Sequence, residues 1–199
     1  AMLKFVIQII AASIPATHGV TILAFSNPNI FSDSLYWVLG SLSVPFTVIW
    51  IVAITNAVNL IDGLDGLANG VSAISATTML VIALMVNREV AVVMAALVGA
   101  CVGFMPYNLN PAKMFMGDTG ATFLGFILAT MSIQGLFKYY AVISFVVPFL
   151  ILGLPIFDTA FAFIRRIAHG QSPMHADRSH IHHRLIDMGL NQKQAVATL

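Results

Sequence analysis

Charge is what this sequence has least of. Only 9% of its 199 residues are Asp, Glu, Lys or Arg, whereas a soluble domain carries about 25%. With 59% hydrophobic residues and a mean hydropathy of +0.92, so few charges cannot cover a surface that faces water. That excludes a water-soluble globule and leaves the bilayer as solvent. A formal net charge of +1 argues against a nucleic-acid partner, which needs a basic stripe to displace counterions. The one cysteine, Cys101, can form no internal disulfide, and its apolar surroundings read as packing. Repeats, low-complexity tracts and linkers are missing too, so residues 1–199 read as a single domain.

What is present is a series of apolar segments: Met2 to Phe25, Leu35 to Ala57, Val71 to Val86, Val90 to Tyr107, Thr119 to Leu136 and Tyr139 to Ile164. A spanning helix needs about 20 apolar residues, so the pattern predicts an all-α, polytopic membrane bundle of about six spans. Pro148 and Pro155 are expected to kink the sixth. Met2 to Phe25 has no cleavage-type flank and is not a signal peptide. Alternation puts the N-terminus, residues 58–70, residues 108–118 and the tail on one side. That side holds Lys4, Lys113, Arg165, Arg166, Arg178, Arg184 and Lys193, against Arg88 and Lys138 opposite. The positive-inside bias makes it cytoplasmic, and the polar stretches fall there.

The first of these stretches runs from Asn56 to Gly70. Asn56, Asn59, Asp62 and Asp65 recur at intervals of three, which on a helix makes a slowly drifting polar stripe. Two carboxylates at such spacing can share a divalent cation, or raise one pKa so that it acts as a base. Gly63, Gly66 and Gly70 allow close approach of backbone or ligand. The plainer reading is that the Asn side chains glue helices together and the Asp side chains cap the next helix.

The second stretch runs from Tyr107 to Gly120. Asp118 and Thr119 sit at a helix start, where either can serve as the N-cap. Alternatively Asp118 is a metal ligand, since hard cations take carboxylate and phosphate oxygens. Amides between Gly117 and Gly120 suit a phosphate, and Lys113 is a counter-charge for a diphosphate. Phe115 reads first as a core residue, with stacking on a base as the alternative.

The third stretch follows Arg165 and Arg166 and runs from Ser172 to Leu185. Five of the six histidines fall after the last span, among them His180, His182 and His183. Their spacing matches no HExxH or CxxC zinc pattern. A cationic cluster on the carboxylate side more naturally holds a phosphorylated anion, although Arg165 and Arg166 also suit anionic headgroups. Asp158 can pair with an Arg farther along the last helix.

These three runs, in this order, resemble the polyprenyl-phosphate N-acetylhexosamine-1-phosphate transferases. That family includes the muramoyl-pentapeptide translocase of peptidoglycan synthesis and the WecA-like and TagO-like enzymes that start O-antigen and teichoic acid chains. The SHIHHRL form at residues 179–185 is similar to the WecA/TagO branch. The resemblance implies a multi-pass enzyme of the bacterial inner membrane whose site faces the cytoplasm. It implies transfer of a sugar-1-phosphate from a UDP-N-acetylhexosamine, usually UDP-N-acetylglucosamine, to undecaprenyl phosphate with release of UMP. The implied cofactor is Mg²⁺, or Mn²⁺ in its place, and a homodimer is left open.

Position by position, the resemblance makes Asp118 the metal ligand with Asn108 a polar partner nearby. Asp62 and Asp65 become catalytic and nucleotide-contacting carboxylates with Asn59 beside them. Phe115 becomes the aromatic that stacks on uracil, and His180, His182 and His183 the loop over the diphosphate and sugar. The family's Asp-Asp motif, which precedes the helix corresponding to Met2–Phe25, has no counterpart here, and family members carry more spans. The chain is therefore expected to be the C-terminal part of such an enzyme, inactive alone. Ala121 stands where Ser is common in the family. A transporter with a carboxylate and amide ion site, or a zinc membrane protease, is the competing class.

Overall fold

The computed structural model describes residues 2–26, 36–137, 152–168 and 185–198. Its helices are α1 (Met2–Thr17), α2 (Ser43–Ile61), α3 (Leu67–Val86), α4 (Arg88–Asn108), α5 (Gly117–Ser132), α6 (Gly153–Ala168) and the short α7 (Gln192–Thr198). This is the all-α, polytopic architecture that the apolar segments predict. Gly40–Ile61, Leu67–Val86 and Arg88–Asn108 are long and apolar enough to cross a membrane, and Met2–Thr17 is a shorter apolar helix.

Element boundaries depart from the apolar runs for local reasons. The first run stops being helical at Thr17: Gly19 takes φ +92°, and the His18 and Val20 amides both turn back to the Pro15 carbonyl. Ala24–Ser26 (β1) then pairs antiparallel with Tyr36–Val38 (β2), with Phe25 opposite Trp37. A 3₁₀ turn, Gly40–Leu42, follows, so the second helix begins at Ser43 rather than Leu35. Asn87 alone separates α3 from α4, and its side-chain oxygen accepts from the Glu89 and Val90 amides, the usual work of an Asn N-cap. After α5 the chain continues through a π-helical turn, Ile133–Phe137. The first part of the sixth run, with Pro148, lies outside the described residues. Pro155 sits in the first turn of α6, where a missing amide is tolerated rather than kinking the helix.

α2 is the hub of the bundle. α1, α5 and α6 pack on it, while α3 pairs with α4 and touches α5. Half of the α2 span window is buried, against 28% for α4, so α4 turns most of its side chains outward, as a lipid-facing helix does. Ile51, Ile54 and Val58 of α2 meet Met79, Met94 and Leu128 in one core. Cys101 is buried in that core, as its apolar run predicts. Polar side chains tie helices together inside it: Trp50 Nε1 donates to Ser132 Oγ at 3.2 Å, and Asn69 Nδ2 to the Cys101 carbonyl at 3.0 Å. At Gly125 the backbones of α5 and α2 nearly touch, since a Cβ there would lie 2.8 Å from Thr55 Cα. This close seam brings the end of α2 beside the start of α5, with the first turn of α1 against both.

Candidate active site

At that shared end the polar stripe of α2 divides. Asn56 bonds sideways within the bundle, its Nδ2 donating to Gln8 Oε1 of α1 at 2.6 Å; here the helix-glue reading holds. One turn on, Asn59 does something different. Its Oδ1 accepts from Lys4 Nζ at 2.7 Å, and its Nδ2 donates to Asp118 Oδ1 at 3.0 Å. Lys4 Nζ also donates to Asp118 Oδ2 at 3.0 Å. Three side chains from α1, α2 and α5 thus close a ring across one end of the bundle. Lys4 was legible in the sequence only as one positive charge among several.

Asp62 and Asp65 do not continue the stripe. α2 ends at Ile61, Asp62 is its C-cap, and the chain turns through residues 62–66 before α3 begins. The i, i+3 carboxylates therefore leave a helical face and point to separate partners. Asp62 faces the start of α5, where it feels the Asp118 charge and the Gly117 N–H. Asp65 Oδ2 accepts from Asn110 Nδ2 at 3.0 Å and from the Ala112 amide at 3.1 Å. Asn110 Nδ2 also donates to Gln192 Oε1 of α7 at 2.7 Å, which fastens the C-terminal helix to the same loop. The carboxylates brought together are Asp62 and Asp118, one from each polar stretch.

The turn and the loop interlock through Gly66. It takes φ +81°, in the left-handed region that favours glycine, and a Cβ there would also lie 2.9 Å from the tip of the Leu109 side chain. Gly70 has open space around it, so no such reason applies there. Asn108 is 3% exposed and donates to the Met114 carbonyl at 3.1 Å, shaping the loop from beneath rather than bonding Asp118. Lys113 is exposed, and its amide donates to the Tyr107 carbonyl.

Two plain readings of the second stretch are overturned. Asp118 does not cap α5: the N-cap is Met116, with no side-chain bond, and the Asp118 carboxylate goes to Asn59 and Lys4. Phe115 does not pack in the core, since it is 75% exposed, on the same loop as Asp118. Ala121 is fully buried. Asp158 is buried in α6. His180, His182 and His183 lie outside the described residues, as do the side chains of Arg165 and Arg166.

The electrostatics separate the two carboxylates. Burial pushes the Asp62 carboxyl up from the ordinary carboxylate range, and the Asp118 charge adds to the rise while the Gly117 N–H opposes it. The hydrogen bond from Asn59, followed by that from Lys4, holds Asp118 below its ordinary value. Such a split is what an acid–base site requires. It also carries a stability consequence. A raised Asp62 favours the fold fully only below its unfolded pKa, and that contribution is lost as pH rises through the folded value. Asp62→Asn keeps an acceptor for Gly117 and removes the ionisation, so it should raise the melting temperature more at about pH 8 than at about pH 4. Equal shifts at both pH values would show that Asp62 ionises in the fold as it does in water.

Asp62, Asp118 and the Asn59 amide oxygen form a set of hard oxygen donors. Among the described residues no three His, Cys, Asp or Glu side chains gather as a metal cluster, so these residues build no zinc centre. Two carboxylates do fit Mg²⁺, which commonly takes one or two carboxylates and completes its shell with water and substrate phosphate.

An apolar helical bundle with a carboxylate and amide cluster at one end defines a polytopic membrane protein with a candidate polar site. Residues 1–136 match the model of "Glycosyl transferase family 4", and the chain belongs to that family. It is 44% identical over 200 residues, all of this chain and 55% of the relative, to a Bacillus subtilis protein described as a "Probable undecaprenyl-phosphate N-acetylglucosaminyl 1-phosphate transferase". It is 34% identical to a decaprenyl-phosphate N-acetylglucosaminephosphotransferase of Mycolicibacterium smegmatis, over 98% of this chain and 53% of the relative. A phospho-N-acetylmuramoyl-pentapeptide-transferase of Clostridium beijerinckii is 42% identical over 106 residues, 53% of this chain and 32% of the relative. The chain thus spans about half the length of the first two.

Proposed function

We propose that the natural protein transfers an N-acetylhexosamine-1-phosphate, of which N-acetylglucosamine-1-phosphate is the best-supported case, from its UDP-sugar to undecaprenyl phosphate. The reaction is an initiating membrane step of cell-wall or surface polysaccharide synthesis, with O-antigen and teichoic acid as candidate products. The observation that carries this reading is the interlocking of the two polar stretches, with Asp62 and Asn59 of the first against Gly117 and Asp118 of the second. The names of the relatives supply the substrate classes.

In this reading an oxygen of the lipid phosphate attacks the sugar-side phosphorus, the bond to the UMP oxygen breaks, and UMP leaves. Mg²⁺, or Mn²⁺, when bound supplies positive charge against the charge that develops on the diphosphate. Asp118 holds the cation with help from Asp62, and Asn59 orients Asp118. Asp65, tied to Asn110 and the Ala112 amide, holds the loop that presents Phe115 to the uracil. Lys113 reaches the diphosphate from the same loop, with Asn108 as the buried brace beneath it. His180, His182 and His183, outside the described residues, are assigned to the sugar and diphosphate by the family resemblance alone. The site faces the cytoplasm of a bacterial inner membrane, where UDP-sugars are made, and a homodimer remains compatible with it.

The test supplies UDP-N-acetylglucosamine and undecaprenyl phosphate to the natural full-length protein and measures UMP release with and without Mg²⁺. Mg²⁺-dependent UMP is expected; none from any of a panel of UDP-sugars would sink the reading. In the same assay Phe115→Ala should raise KM for the UDP-sugar by roughly tenfold, about one lost stacking contact, with an unchanged melting temperature because the ring is exposed. An unaltered KM would return Phe115 to the lipid or protein surface.

A further inference from the structure

Lys4 occupies oxygens that the proposed cation also needs. Its ammonium sits 2.7 Å from Asn59 Oδ1 and 3.0 Å from Asp118 Oδ2, and an ammonium and a divalent ion cannot both take the same lone pairs at full strength. Its partners lie 55 and 114 residues away in the chain, so the contact is a product of helix packing and not of local sequence. The pair is also placed to be broken. The Lys4 and Asp118 side chains are 37% and 78% exposed, and an ion pair that wet is weak and screened by salt. One turn deeper, Asn56 to Gln8 already joins α1 to α2, so the helices stay together if Lys4 lets go. The lysine stem is long enough to swing its ammonium from the carboxylate toward an incoming anion.

We infer that Lys4 is an internal counter-cation that competes with the divalent cation for Asp118 and Asn59, holding the carboxylate in place without metal and giving it up when metal binds. The inference rests on the metal reading of Asp118. Lys4 is in this sense a positioning residue, and its removal should strengthen metal binding even if it weakens turnover.

The experiment titrates Mn²⁺ into the detergent-solubilised natural protein without substrates and follows free Mn²⁺ by electron paramagnetic resonance. Lys4→Gln and Lys4→Met are expected to lower the Kd by roughly two- to fivefold, the strength of one exposed ion pair, and Lys4→Arg to leave it near the wild-type value. A Kd that is unchanged or higher in Lys4→Gln, while Asp118→Asn abolishes binding, overturns the inference and spares the metal reading. Binding that is insensitive to Asp118→Asn overturns the metal reading itself. A second measurement needs no variant: saturating Mg²⁺ should speed acetylation of Lys4 in the wild-type protein, read by mass spectrometry. A rate unchanged or slowed by Mg²⁺ overturns the inference as well.

Discussion

Asp118→Asn in the natural full-length protein is expected to lower UMP release by roughly 10³-fold, the scale at which one preorganised charge-stabilising group acts, while leaving the fold intact. The asparagine keeps the size of the side chain and one oxygen to accept a hydrogen bond. It loses the negative charge that both Lys4 and a hard cation require. Because the side chain is 78% exposed, the substitution should move stability by no more than about 0.5 kcal/mol. Lys113→Ala provides the contrast. Its side chain is exposed on the loop, so its loss should fall mainly on KM and be far smaller. Near-normal turnover in Asp118→Asn would remove the metal assignment. It could not be rescued as a capping effect, because the N-cap of α5 is Met116 and the Asp118 carboxylate bonds to Asn59 and Lys4 instead.

The second large effect belongs to Gly125, where the fold is least able to yield. A Cβ there would meet Thr55 Cα at 2.8 Å and the Ile54 and Thr55 carbonyl oxygens at 3.1 Å. All three atoms are backbone of α2, so no side chain can rotate away. Gly125→Ala should destabilise by about 3 kcal/mol, at the upper end for overpacking, and Gly125→Leu should prevent assembly. Gly103, in α4, has nothing within 4 Å of the same position. Gly103→Ala is therefore expected to stabilise by about 0.5–1 kcal/mol through helix propensity alone. Thermal unfolding of the two alanine variants in one detergent checks the pair, and shifts of the same sign would contradict the packing of α5 on α2. Since that packing sets Asp62 against Asp118, Gly125→Ala should also weaken Mn²⁺ binding.

Much of the site could be read along the chain because membrane proteins place charge sparingly. With so few charges, Asp62, Asp65 and Asp118 stood out, whereas Phe115 was singled out only by the family resemblance. The pattern misled where it assumed that a helix continues. Spacing of three from Asn56 to Asp65 implies one face only if α2 runs on past Ile61, and it does not. Gly66 at φ +81° belongs to the turn that ends it. Phe115 read as a core residue because apolarity alone cannot distinguish a side chain that packs from one held out on a loop.

By itself the sequence determined the solvent, the helical class and the approximate helices, and it singled out the candidate polar residues, because hydropathy and motif spacing are properties of the chain in order. Only the tertiary structure decided the partners: Asp62 with Asp118 and not with Asp65, Asp65 with Asn110, and Lys4 with Asn59 and Asp118. Those pairings join residues as many as 114 positions apart. They depend on how α1, α2 and α5 seat against one another at contacts such as Gly125 on Thr55, and no local pattern records that seating.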